Sequence, residues 1–174
     1  NNLKKEIFHL IFYIILVFLT TFVIIKYVGQ RTEVQGQSME NTLYDQDNLI
    51  IDKFTYHFTN PKRFDIIVFP IQSSEKYYIK RVIGLPGETI QIIDGDIYIN
   101  SELLEDNYGK EKMDYAGIAS MPITLKKDEY FVLGDNRNHS SDSRNPYVGV
   151  IPGDKIIGKA WVRIWPFKRF GLVK

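Results

Sequence analysis

Three short stretches hold residue types that could do covalent chemistry. The first is QGQSMENTL (35–43), where Ser38 is flanked by Met39 and lies two residues after Gly36, just beyond a long apolar run. A serine there is either a nucleophile held near a bilayer or an ordinary turn residue. The second is YYIKRVIGLPGE (77–88). Strand alternation puts Lys80 on one face with Tyr78 and Val82, and Ile79, Arg81 and Ile83 on the other. A lysine desolvated on such a face can lose its proton and act as general base to a serine. The plain alternative is an exposed lysine whose stem lies along apolar surface. The third is GDNRNHSSDSRNPYVG (134–149), which sets Asp135, Arg137, Asp142 and Arg144 among serines, asparagines and glycines. It is either a solvated polar loop or a shell of paired charges and hydroxyls that orients a neighbouring group.

Other chemistries have little behind them. His139 sits beside Ser140 and Asp142, but residues so close in sequence seldom converge as triad partners. Cysteine is absent, so thiol nucleophiles, disulfides and zinc knuckles drop out together. There is no HExxH and no phosphate loop. No metal and no cofactor are expected. The charges nearly cancel, 22 basic against 21 acidic, with no dense basic stripe, so nucleic acid is not an expected partner.

These residues need a scaffold, and the sequence describes one. A chain of 174 residues has room for one ordinary domain plus an anchor. From Ile7 to Ile25 runs IFHLIFYIILVFLTTFVII, without a formal charge and with His9 as its one ionisable group. As a helix this covers roughly 28 Å, close to a hydrocarbon core of about 30 Å. It is longer than a signal-peptide apolar region and lacks a small-residue cleavage site. We therefore read residues 1–6 as a short tail, 7–28 as a transmembrane anchor and 29–174 as the folded domain. Lys4 and Lys5 before the span and Lys26 and Arg31 after it leave the positive-inside count nearly tied.

Beyond the anchor the signals are short, rich in Ile, Val, Tyr and Phe, and bounded by Gly, Pro, Asn and Asp. They predict strands over 48–54, 63–71, 77–84, 89–93, 96–100, 129–134 and 155–167. Asp94-Gly95 predicts a two-residue hairpin turn. The expectation is a mainly β barrel or sandwich-like body. Residues 101–121 are polar and irregular and read as a small insertion.

Together these stretches resemble the bacterial type I signal peptidases, membrane-anchored Ser/Lys peptidases. The order matches over nearly the whole chain: an N-terminal span, then SMENTL (38–43), RFDIIVFP (63–70), YIKRVIGLPGE (78–88) and GDNRNHSSDSR (134–144). The resemblance implies a signal-peptidase-type β catalytic domain with a reduced inserted subdomain, in which Ser38 is the nucleophile and Lys80 the base. It implies that Ser140 hydrogen-bonds and orients the lysine, that Asp142 pairs with Arg144, and that Asp135 and Arg81 are further charged supports. Gly134 matches a small residue allowing backbone to approach the lysine. Val34, Met39, Leu43, Tyr78 and Ile79 fall where the family lines shallow pockets for small residues at −1 and −3 of the signal peptide. Its implied partners are signal peptides of exported preproteins and the lipid bilayer, with the export machinery or pilins as further ones. Its implied place is the cell membrane, single-pass, with the catalytic domain on the extracytoplasmic side.

Two positions depart from the family pattern. Asn41 stands where the family usually has proline in S-M-x-P-T-L, and Gly36 where some members carry an oxyanion-donating serine. The oxyanion would then rest mainly on backbone N–H groups, chiefly that of Ser38. The Asn41 substitution and the short insertion leave open a specialised factor for pilus assembly. A self-cleaving repressor-type Ser/Lys protein is disfavoured by the apolar span and the lack of a helical DNA-binding segment.

Overall fold

The computed structural model describes residues 2–24, 29–70 and 77–174. The apolar run forms helix α1 (Asn2–Val23), with no buried residue. The helix starts five residues before the expected span; residues 25–28 of the expected anchor, and Ile71 of the expected strand 63–71, lie outside the described residues. Its 22 residues reach about 33 Å, enough to cross a hydrocarbon core.

The body is β structure in two sheets. The larger is built from β1 (Gly29–Glu33), β2 (Asn48–Asp52), β3 (Ile66–Pro70), β4 (Tyr77–Gly84), β9 (Glu129–Leu133), β10 (Ile151–Pro152) and β11 (Gly158–Trp165), in the order β1-β2-β11-β3-β4-β9-β10. Strand β12 (Gly171–Leu172) pairs beside it with β11. The smaller sheet takes β5 (Thr89–Ile93), β6 (Asp96–Ile99), β7 (Glu102–Leu103) and β8 (Ile123–Thr124), in the order β7-β6-β5-β8.

The smaller sheet is built around the region read as a small insertion. Strands β5 and β6 leave the main sheet and join the 101–121 region, which contributes β7 and a 3₁₀ turn at Gly117–Ser120. Their alternation explains why. Ile90 faces Ile99 and Ile92 faces Ile97 across the hairpin, making one apolar stripe. That stripe packs with Met113, Ala119 and Leu125 onto Ile83, Phe131 and Leu133 of the main sheet. Asp94 and Gly95 both take positive φ, +49° and +81°, as the expected tight turn needs. Strand β1 was not expected. Its sequence GQRTE carries no apolar pattern because it lies at the sheet edge, and its register comes from pairing with β2.

Two further cores lie against the main sheet. Val34, Met39, Leu43, Leu49, Ile51, Ile66, Val68, Ile79 and Ala160 form one. Ile67, Phe69, Val82, Tyr130, Val132 and Ile151 form the other, with Tyr78 packed on it. Neighbours Tyr78 and Ile79 thus belong to different cores, as strand alternation requires.

Candidate active site

Ser38 sits in a loop between β1 and β2 that folds back through two turns. Glu40 N–H bonds Gln37 O, and Thr42 and Leu43 N–H groups both bond Met39 O. Asn41 closes the second turn at φ +99°, a conformation Asn tolerates and proline cannot adopt. Gly36 is held at φ +85°, with its N–H donated to Asp45 Oδ1 at 2.7 Å. A Cβ there would meet nothing within 4 Å, so the backbone angle, not crowding, favours glycine. The Gly36 N–H is engaged, whereas the N–H of Ser38, beside its own hydroxyl, makes no hydrogen bond among the described residues.

Lys80 lies mid-strand on β4, 3% exposed. Its Nζ donates to Ser38 Oγ across 2.8 Å and to Ile79 O across 3.0 Å, and it stands 4.8 Å from the centre of the Tyr78 ring. Burial disfavours the ammonium and lowers its pKa from 10.5 to about 8, against the opposing pull of Asp142 and Asp135. A neutral amine is therefore accessible near neutral pH, in contact with a serine hydroxyl.

The polar loop is a fixed shell, not a solvated one. Asp142 takes a fork from Arg144 (Nε to Oδ1 2.8 Å, Nη2 to Oδ2 2.9 Å) and accepts Gly134 N–H at 3.0 Å. Arg144 also donates to Tyr115 O and Arg137 O. Arg81 forks onto Asp135 (2.8 and 2.7 Å) with both side chains fully buried, and stacks on Tyr108 at 3.7 Å. The next residue after Asp135 reaches the nucleophile directly: Asn136 N–H donates to Ser38 O at 3.0 Å, and its Nδ2 donates to Gln37 O at 3.0 Å.

Ser140 differs from the expectation. Lys80 Nζ turns to the Ile79 carbonyl, and the buried Ser140 Oγ makes no hydrogen bond among the described residues. It does sit against the site. A Cβ on Gly134 would come within 2.2 Å of Ser140 Oγ and 2.4 Å of Ser38 O, so glycine admits these two groups. Leu43 differs as well: it is fully buried in the core beneath the turn and does not line the cleft. Val34, Met39, Tyr78 and Ile79 do, in a cavity of about 620 Å³ that also holds Ser38, Lys80 and Gly36. His139 is exposed on its rim, and its ring makes no hydrogen bond among the described residues.

Sequence reasoning missed three residues. Thr42 Oγ1 donates to Asp135 Oδ2 at 2.6 Å and accepts from Arg81 Nη2 at 3.1 Å, tying the nucleophile turn to the strand of the lysine. Arg163 Nη1 donates to Thr42 O at 3.0 Å. Asn136 is the third. Thr42 and Asn136 lie inside the stretches SMENTL and GDNRNHSSDSR, the only signal available; Arg163 carried none.

The cleft has two open backbone edges. Val34 is bonded to residues 46 and 47, and Val82 to residues 64 and 65. By alternation, the amide of Ile79 points the other way, into the cleft, and its carbonyl there accepts from Lys80 Nζ; Gln35, beyond the end of β1, lies exposed along the facing edge. Strand β9 pairs β4 only from Arg81 onward, so among the described residues 77–80 have no strand on that side.

A family model described as signal peptidase, peptidase S26, matches residues 5–165. A signal peptidase I from Leptolyngbya laminosa is 43% identical over 153 residues, 83% of this chain and 73% of that one. A probable signal peptidase I-2 from Synechocystis sp. is 38% identical over 155 residues, 84% and 68% of the two chains. A signal peptidase I P from Bacillus subtilis subsp. natto is 34% identical over 177 residues, covering 97% of this chain and 92% of that one.

Proposed function

Since the chain belongs to the signal peptidase family, peptidase S26, and is a serine peptidase that removes signal peptides, we propose that Ser38 and Lys80 are its catalytic dyad. The observation that carries this is the 2.8 Å contact between a serine hydroxyl and a buried lysine of lowered pKa.

With Lys80 neutral, the contact reverses and the serine O–H donates to Nζ. Ser38 Oγ attacks the scissile carbonyl as Nζ takes its proton, and the oxyanion develops beside the Ser38 N–H. Collapse breaks the C–N bond, Lys80 returns the proton to the departing amine, and an acyl ester on Ser38 remains. Lys80 then deprotonates a water that hydrolyses the ester, and serine regains its proton. The Arg81–Asp135 and Arg144–Asp142 pairs act by holding the loop that carries Asn136, and with it the Ser38 carbonyl.

The preprotein enters as a strand between the open edges of Gln35 and Ile79, adding main-chain hydrogen bonds on both sides. Its −1 and −3 side chains then face Val34, Met39 and Ile79, with Tyr78 at the side. A charged residue at −1 would be desolvated there without a partner, so alanine is preferred. The anchor is membrane-inserted through α1, with the body on the extracytoplasmic face, where signal peptides emerge. A chain with serine and lysine in contact cuts what it holds, so a pilus-specialised role would differ in substrate, not in chemistry.

The test is single-turnover cleavage of a preprotein with alanine at −3 and −1, the cut mapped by mass spectrometry. Ser38→Ala and Lys80→Arg should both be inactive, since arginine cannot release a proton in this range. An active Lys80→Arg enzyme would end the dyad assignment.

A further inference from the structure

A second cavity, of about 510 Å³, opens on the opposite face of β4 from the −1 and −3 walls. It is bounded by Phe69, Tyr78, Tyr147, Val148, Val150 and Ile151, with Lys155 at its edge. Of these walls Phe69, Tyr78, Val148 and Ile151 belong to the core on the Tyr78 side of the sheet, whereas Val34, Met39 and Ile79 belong to the other. Tyr78 lines both cavities, with one space on each side of it. Phe69, directly opposite Tyr78 in the β3–β4 register, packs edge-on against its ring at 5.9 Å.

Side chains of an extended chain alternate faces. If −1 and −3 point to Val34 and Ile79, then −2 and −4 point to the Tyr78 side, as the chain runs back along β4 from Ser38 towards Tyr77. We propose that this second cavity is a subsite for an apolar side chain at −2 or −4 of the signal peptide. The inference rests on the strand reading of substrate binding given above. Continuity with the cleft through Tyr78 argues for the same peptide as occupant. The aromatic and aliphatic walls suit leucine or phenylalanine, and Lys155 at the rim opposes a basic residue.

The experiment uses the full-length enzyme in detergent and soluble peptides with alanine at −1 and −3. Within the series, −2 and −4 are changed one at a time among Ala, Leu and Lys. A leucine at one of these positions should raise kcat/KM roughly tenfold over alanine, the scale of one well-housed apolar group, and lysine should give no gain. The Leu/Ala ratio should fall to about one in Tyr147→Ala and, independently, in Val150→Asp. A parent ratio near one at both positions, or a parental ratio kept in both variants, overturns the subsite. So does a result in which the variants change only partition onto phosphatidylglycerol vesicles, which would make the cavity a lipid contact. Failure of the Ser/Lys reading shows separately, as cleavage surviving in Ser38→Ala.

Discussion

At the scale of single residues, the role proposed for Lys80 sets catalysis against stability. Its pKa falls from 10.5 in the unfolded chain to about 8 in the fold because burial penalises the charge. Below pH 8 both states are protonated and the full cost of burying the ammonium is present, about 3 kcal/mol at ~1.36 kcal/mol per unit. Between pH 8 and 10.5 the unfolded chain holds more protons than the folded one, so stability rises with pH and the cost disappears. Lys80→Met, which keeps the length without the charge, should therefore be inactive yet more stable than the parent at pH 7. Its advantage, read as a shift in urea midpoint in the same detergent, should shrink towards pH 10.5. Parental single-turnover cleavage should be low in acid and rise through pH 8. The pairing of Ser38 with Lys80 was legible only through the resemblance carried by SMENTL and YIKRVIGLPGE; taken alone, each residue also had an ordinary reading, a turn serine and an exposed strand lysine. Thr42 and Asn136 were not, because their roles consist of hydrogen bonds to residues 93 and 98 positions away, Asp135 and Ser38.

At the scale of elements, the turn Met39–Thr42 decides how the Ser38 hydroxyl is presented. Asn41 at φ +99° lets Thr42 N–H reach Met39 O while Thr42 Oγ1 reaches Asp135. Proline, common at this position in the family, is fixed near −65° and cannot take that angle. Asn41→Pro should lower kcat/KM and destabilise the body by about 1–3 kcal/mol, whereas Asn41→Gly should keep both near parental values. Thermal unfolding and peptide cleavage on the two variants decide it, and a fully active proline variant would show that the turn rearranges freely. Strands β4, β5 and β6 were readable nearly to the residue because β-branched and aromatic residues sit between clear turn signals. Strand β1 was not, since a polar edge strand is defined by its partner alone. Which sheet each hairpin joins was also hidden, because the same alternation serves either; the choice depends on distant Ile83, Phe131 and Leu133.

At the scale of the whole molecule, the anchor and the catalytic body divide location from chemistry. No residue of α1 is buried, and every residue lining the cleft lies from Thr32 onward. A chain starting near Tyr27 should cut short soluble peptides at close to the parental rate and lose efficiency only on membrane-inserted preproteins. Loss of activity on soluble peptides by a well-folded truncated body would make the helix part of the site. The span was plain from its run of uncharged residues; the side of the membrane it serves was not, because flanking charges balance. The cleft itself is assembled from the β1–β2 loop, β4 and the loop after β9, which meet at Ser38 from 42 and 98 residues away. Bringing such distant segments together has to overcome loop-closure entropy before their contacts form. A chain whose later segments have not yet folded thus holds Ser38 and Lys80 apart, without the 2.8 Å contact on which the proposed dyad rests.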